Sequence, residues 1–167
     1  MARWNNNSAH KFTLPQQYLF LRNNPNCTGD GELGNRQLVW RYEAQATPLS
    51  RVYKIEIRLR EGTGYPEVLV KDPNLQELAG KREIPHVYRN PLRLCLYLPR
   101  KRQWHGGLRL DQTIVPWTAL WLYYFEEWLS SDEWKGGGEH PGDSLQPSAN
   151  RSLRRITRNY ETRPRRR

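Results

Sequence analysis

Residues 51–60, RVYKIEIRLR, alternate without a break: Tyr53, Ile55, Ile57 and Leu59 fall on one side, Val52, Lys54, Glu56 and Arg58 on the other. Successive side chains of an extended chain point to opposite faces, so such a run is stable as a strand with one face covered and one face wet. It therefore demands antiparallel neighbours and a second layer over its apolar side. Neighbours are available on both sides. RQLVWRYEAQA at 36–46 alternates in part, and EVLVKDP at 67–73 is a short strand closed by Asp72-Pro73, so the three predict an antiparallel meander. Between them and the N-terminus, NCTGDGELGN holds three Gly and an Asp-Gly pair and is expected to be a loop.

The covering layer is expected from two helices. TLPQQYLFLRNN places Thr13 as an N-cap and Pro15 in the first turn, with Leu14, Tyr18 and Leu21 at helical spacing, which predicts a helix over 14–23. DQTIVPWTALWLYYFEEWLSS places Thr113 as a cap and Pro116 in the first turn. Trp117, Leu120, Trp121, Tyr124, Phe125 and Trp128 recur at i, i+3, i+4 intervals, and Trp117, Trp121, Tyr124, Phe125 and Trp128 are expected to pack into the core. Residues 74–91 are polar and irregular, and LRLCLYLP then alternates Leu92, Leu94, Leu96 and Leu98 against Arg93, Cys95 and Tyr97. If these leucines face inward, Cys95 points to the other side. The apolar fraction is only 37%, yet seven Trp and nine Tyr supply enough large side chains for one core. The expected class is α+β: an N-terminal helix, an antiparallel meander of about four strands and a long C-terminal helix.

Charge divides the chain. Of the net +10, the last seventeen residues hold eight Arg against one Glu, so +7 of the excess sits there. A domain over 1–142 followed by a polar linker and Arg-rich tail over 143–167 is expected. The tail arginines, among them Arg154, Arg155, Arg158, Arg163, Arg165, Arg166 and Arg167, read as a device for docking on an acidic partner face. A nucleic-acid binder would spread its basic residues over a folded face and interleave them with aromatics, which this chain does not do, so nucleic acid is not an expected partner. No stretch approaches the roughly 18 apolar residues of a membrane span, and MARWNNNSAHKF lacks the apolar segment of a secretory signal, so a cytoplasmic protein with reduced thiols is expected. KGGGEHPG lacks the Gly-Lys-Ser/Thr ending of a phosphate loop and follows a helix. His86, His105, His140 and the two cysteines show no short ligand spacing, so neither a metal nor another cofactor is expected. No internal repeat is visible.

A single Cys in an apolar run such as that around Cys95 reads first as a small core residue, since free Cys is among the most buried types. The alternative is a nucleophile. His86 stands nine positions before it, Trp104 nine after, and the cysteine itself lies in Leu94-Cys95-Leu96, with Tyr65-Pro66 ahead of the third strand of the meander. In order and spacing this resembles the ubiquitin-conjugating enzymes, in which a first helix and a meander are followed by a semi-ordered stretch with a His-Pro-Asn motif. The catalytic Cys there sits in a Cys-Leu dipeptide with a Trp beyond it. PLRLCLYLP, TIVPW and WLYYFEEWLSSDEWKGGGEHP look more specifically like the conjugating-enzyme-like proteins of CBASS antiphage operons, the short type II branch. The resemblance spans about residues 12–142.

The resemblance implies a conjugating-enzyme-like fold with Cys95 as the acyl-carrying nucleophile and a mainly structural His86. His-Val-Tyr replaces His-Pro-Asn, so Tyr88, at the Asn position, and Asn90, two further on, are the candidate hydrogen-bond donors to a tetrahedral oxyanion. By the same pattern Asp132 or Glu133 falls near the acidic gate that would assist an attacking lysine. The implied donor is the C-terminus of the operon's nucleotidyltransferase, a cyclase that makes cyclic oligonucleotide signals, and conjugation would prime it for defence. The acyl acceptor is not named by the sequence. Forming a thioester from a free carboxylate is uphill and this chain carries no nucleotide motif, so activation must come from elsewhere; the resemblance implies no dedicated activating enzyme in the operon, which leaves a separate host enzyme or a different chemistry. The other reading is a non-catalytic scaffold that holds the cyclase through the same fold and the basic tail. On residue chemistry alone, Arg93, Arg100, Lys101 and Arg102 are expected to draw the thiol toward thiolate, and Cys27, in its Gly-rich loop, is expected to be dispensable.

Overall fold

A computed structural model describes residues 11–62 and 64–137. The strand read from strict alternation is present as β3, Tyr53–Arg60, between β2, Gln37–Ala44, and β4, Glu67–Asp72. Trp40 faces Ile57 and Tyr42 faces Ile55 across β2 and β3, and Ile57 faces Val68 across β3 and β4. All five are buried on one side of the sheet. On the other side Glu56 is only 4% exposed, beneath Arg41 at 2.9 Å and Arg58 at 2.5 Å. Burial alone would raise its pKa, but the two guanidinium hydrogen bonds outweigh it and hold the carboxylate below its usual value.

A fourth strand completes the antiparallel sheet in the order β1-β2-β3-β4, and it comes from a place the sequence did not suggest. Gly29–Gly34, expected to be a loop, is β1. A Cβ on Gly29 would stand 1.9 Å from the Arg41 carbonyl oxygen, and one on Gly31 2.5 Å from the Trp40 ring. These glycines let an exposed edge strand lie flush on β2; they do not break structure there. The β1–β2 turn places Asn35 (φ 48°) and Arg36 (φ 58°) both in the left-handed region, the geometry that suits a two-residue hairpin.

The helix α1 spans Leu14–Arg22 with the capping box of Thr13 and Gln16. Its Gln17 is fully buried, donating from Nε2 to the Leu108 carbonyl at 2.7 Å and accepting from the Leu110 N–H at 2.9 Å, which ties α1 to the segment leading into the long helix. Just after α1, Cys27 ends a 3-10 turn, Pro25–Cys27, and is 0% exposed. Its thiol donates to the Leu21 carbonyl at 3.4 Å, and its own carbonyl accepts from Trp40 Nε1 at 3.1 Å. The expected loop placement is corrected: Cys27 is part of the core.

In the stretch expected to be irregular, Leu75–Ala79 forms the short helix α2, capped by Asn74, and a two-residue hairpin follows: β5, Val87–Tyr88, with β6, Arg93–Leu94. The extended run of alternating leucines is strand for only those two residues of β6. The long helix α3 spans Ile114–Ser131 and buries Ile114, Thr118, Trp121, Leu122, Phe125 and Trp128 against the sheet. Thr113 precedes it, but its hydroxyl donates to the Arg109 carbonyl at 2.7 Å and does not cap the helix. Among the described residues no helix is long and apolar enough to cross a membrane. The expected boundary at 142 and the tail arginines Arg154, Arg155, Arg158, Arg163, Arg165, Arg166 and Arg167 lie outside the described residues.

Candidate active site

The β5–β6 hairpin holds one residue beyond its ladder. The Cys95 N–H donates to the His86 carbonyl at 3.0 Å, and the same oxygen accepts from Trp121 Nε1 of α3, also at 3.0 Å. One carbonyl thus fixes the cysteine backbone and anchors it to the helix. His86 sits at φ 50°, a conformation non-glycine residues seldom adopt and one that concentrates at functional positions. Its ring stacks on Trp134 at 5.0 Å. The part His86 plays here is carried by its backbone and by ring packing.

Past Cys95 the chain runs to Tyr97, whose hydroxyl donates to the Pro66 carbonyl at 2.8 Å and whose ring stacks on Tyr65 at 6.5 Å. Tyr65-Pro66 therefore pins the segment carrying the thiol. Between this segment and α3 lies a groove of about 510 Å³. Cys95, Leu96 and Tyr97 form one wall; Trp117, Leu120 and Tyr124 form the other, with Trp134 at the end of the helix closing over it. Leu96 is half-buried in this wall, whereas Leu94 and Leu98 are buried in the interior, so the alternation separates less cleanly than expected.

The stripe on α3 is corrected in the same way. Trp121, Phe125 and Trp128 do fill the core, but Trp117 and Tyr124 are half-buried and Leu120 is 53% exposed, all three facing the groove. The sequence signal was the width of the stripe: apolar residues at 114, 115, 117, 120, 121, 122, 124, 125 and 128 cover more of the helix circumference than one core can take. Trp134 and Gln103, which also line the groove, were not singled out beforehand. Gln103 accepts from the Leu98 N–H through Oε1 at 2.8 Å.

Electrostatics around the sulfur differ from the expectation. Burial raises the Cys95 pKa above its ordinary value, and the Tyr88 hydroxyl, acting on the sulfur as a hydrogen-bond donor, opposes that rise in part. The phenol itself is raised by its own burial and by this contact with the thiol. Both groups are therefore neutral at pH 7. The basic neighbours in sequence do not pull the thiol down. Arg93 is ion-paired with Glu67 and lies over the Tyr88 ring at 5.7 Å, while Arg100, Lys101 and Arg102 are exposed.

The remaining predicted residues are dispersed. Asn90 is exposed in the β5–β6 turn, at φ 60°, before the cis bond to Pro91. Asp132 caps the end of α3 and its Oδ1 accepts from Arg82 at 3.2 Å, the same guanidinium lying over Trp128 at 4.6 Å. Glu133 is exposed and donates its N–H to the Ser131 hydroxyl at 3.3 Å. Neither acidic side chain lines the groove, nor does Asn90. Tyr88 lines a second cavity of about 360 Å³ across Tyr97, among Arg58, Arg60, Glu67 and Arg93.

The arrangement is a half-buried thiol at the edge of an apolar groove, held through its backbone to α3, and a thiol so placed is chemically suited to covalent exchange with a chain end lying in the groove. A family model described as "Type II CBASS E2 protein" matches residues 17–141, a span that begins within α1 and contains every wall of the groove. No curated protein matches the chain.

Proposed function

The chain belongs to the type II CBASS E2 family, and from that premise we propose that it carries an acyl group as a thioester on Cys95, the donor being the C-terminus of a CBASS cyclase. The family ties the chain to an E2-like role in CBASS antiphage defence. The step from that role to chemistry is supported by one observation above the others, that Cys95 opens on the groove while Cys27 is sealed. A donor activated by a separate enzyme, as an acyl adenylate or a thioester, passes its acyl group to the Cys95 sulfur. The bond to the activating group breaks as the new thioester forms, and the thiol proton leaves with the departing group. An acceptor amine then takes the acyl group, forming an amide and returning the thiol.

The raised thiol pKa suits a carrier. A thioester on Cys95 is uncharged, so the burial that disfavours the thiolate does not penalise it, and a thiol of higher pKa is the slower leaving group. The acyl group is thereby held until an acceptor arrives. The Arg-rich tail is assigned the docking of an acidic face of the cyclase on charge alone.

The test is a mixture of the protein, the cyclase and ATP in cell extract, separated on non-reducing gels. An adduct removed by thiol, abolished by Cys95→Ala and retained by Cys27→Ala is expected. A complex of undiminished stability with no covalent species under any of these conditions would establish the scaffold reading in its place.

A further inference from the structure

The walls around the sulfur carry a chemical preference of their own. Cys95, Leu96, Tyr97, Trp117, Leu120 and Tyr124 face one another across about 510 Å³, and among the described residues lining this space there is no Asp, Glu, Lys or Arg. The neighbouring cavity, which does not include Cys95, is lined by Arg58, Arg60, Arg93 and Glu67. Tyr97 borders both, so charge changes abruptly from one side of that ring to the other. The apolar wall also continues outward along α3, where Leu120 is 53% and Tyr123 42% exposed.

We propose that the groove selects the donor by the chemistry of its last few residues: an uncharged C-terminal segment with a large apolar or aromatic side chain close to the acyl carbon, packed between Tyr97 and the Trp117, Leu120 and Tyr124 face of α3. The proposal rests on the acyl-carrier reading above and deepens it. An acyl chain bonded to the Cys95 sulfur must leave along the groove that the sulfur opens on. A charged side chain placed there would lose its hydration with no Asp, Glu, Lys or Arg among the described lining residues to pair with, the one histidine of the lining, His86, being stacked on Trp134, whereas an aromatic or branched side chain would cover rings that are otherwise half wet. Gln103, the one side-chain amide among the described lining residues, is engaged through Oε1 and has its Nε2 hydrogens for the peptide carbonyls of an incoming tail. Ion-paired residues beyond Tyr97 offer a charged tail a place only on the side away from the sulfur's groove.

Synthetic peptides carrying a C-terminal thioester test this without the activating enzyme. Transfer exchanges one thioester for another: the peptide acyl group moves to Cys95, and the Cys95 proton leaves with the released small thiol. Peptides identical except for Leu, Trp, Ser, Asp or Lys two positions before the terminal residue are compared by the second-order rate of acylation, located by peptide mapping. Leu and Trp peptides are expected to react fastest, with Asp and Lys slower by roughly a hundredfold. Leu120→Glu changes an exposed position and leaves the core intact; it is expected to reduce the preference for Leu over Lys by about tenfold or more. Equal rates across the set, or a ranking indifferent to Leu120→Glu, overturn the selectivity while leaving Cys95 an acyl carrier. Failure of every peptide to acylate Cys95 overturns the carrier reading and this inference with it.

Discussion

Around Cys27 the chain closes completely, and around Cys95 it stops short of closing. Burial raises the pKa of both thiols, the first to about 11. The difference lies in what each sulfur meets. The Cys27 sulfur faces the carbonyls of Leu21 and Asn24, acceptors that can only use its proton, with Asp111 adding a like-sign penalty to the thiolate. Cys95 lines an open groove, and the neighbouring Tyr88 hydroxyl offsets part of the burial penalty on its thiolate. Two thiols of similar pKa direction are thus distinguished above all by access.

The contrast sharpens or fails on specific changes. The largest effect is expected from Tyr88→Phe, which removes the hydroxyl near Cys95 and leaves the ring. Acylation of Cys95 at pH 7.5 should fall by about tenfold, and its pH–rate midpoint should move upward, because the hydroxyl opposes the effect of burial on the thiol. A rate and profile identical to the parent would remove Tyr88 from the site. Next comes Cys27→Ala, which leaves a small void beneath α1 and should lower stability by about 1 kcal/mol in urea titrations while the Cys95 adduct persists. The same variant carries a pH signature. Because the folded pKa lies above the ordinary 9.0, the neutral thiol stabilises the fold at lower pH, and that stability is lost as pH rises from 9.0 toward about 11. Cys27→Ala should flatten this alkaline limb relative to the parent. The smallest effect is expected from Asp132→Ala. With that side chain exposed and committed to Arg82, transfer from a preformed thioester to free lysine should slow by less than about tenfold. No change at all would exclude Asp132 from the transfer step.

Much of the frame was readable beforehand because its signals are local. Strict alternation specified β3, Thr13 and Pro15 specified the start of α1, and helical spacing specified α3. Where geometry depends on distant groups, reading along the chain failed. The glycines of β1 look like a loop until Arg41 and Trp40 are seen to need their missing side chains. The helical stripe says which residues of α3 are apolar, but which of them meet the sheet and which meet Cys95 depends on where the β5–β6 hairpin docks. Arg93 is two residues from Cys95 in sequence, yet its charge is spent on Glu67 and the Tyr88 ring. Adjacency along the chain is a poor guide to the field at a sulfur atom.

The claim beneath all of this is that one thiol is reachable in the native protein and the other is not, and alkylation of the folded chain measures it directly. Iodoacetamide at pH 8 under native conditions, followed by peptide mapping over time, should label Cys95 progressively while Cys27 stays unlabelled until the protein unfolds, separating the two rates by orders of magnitude. Labelling of both at one rate, or protection of Cys95 as complete as that of Cys27, would contradict the account.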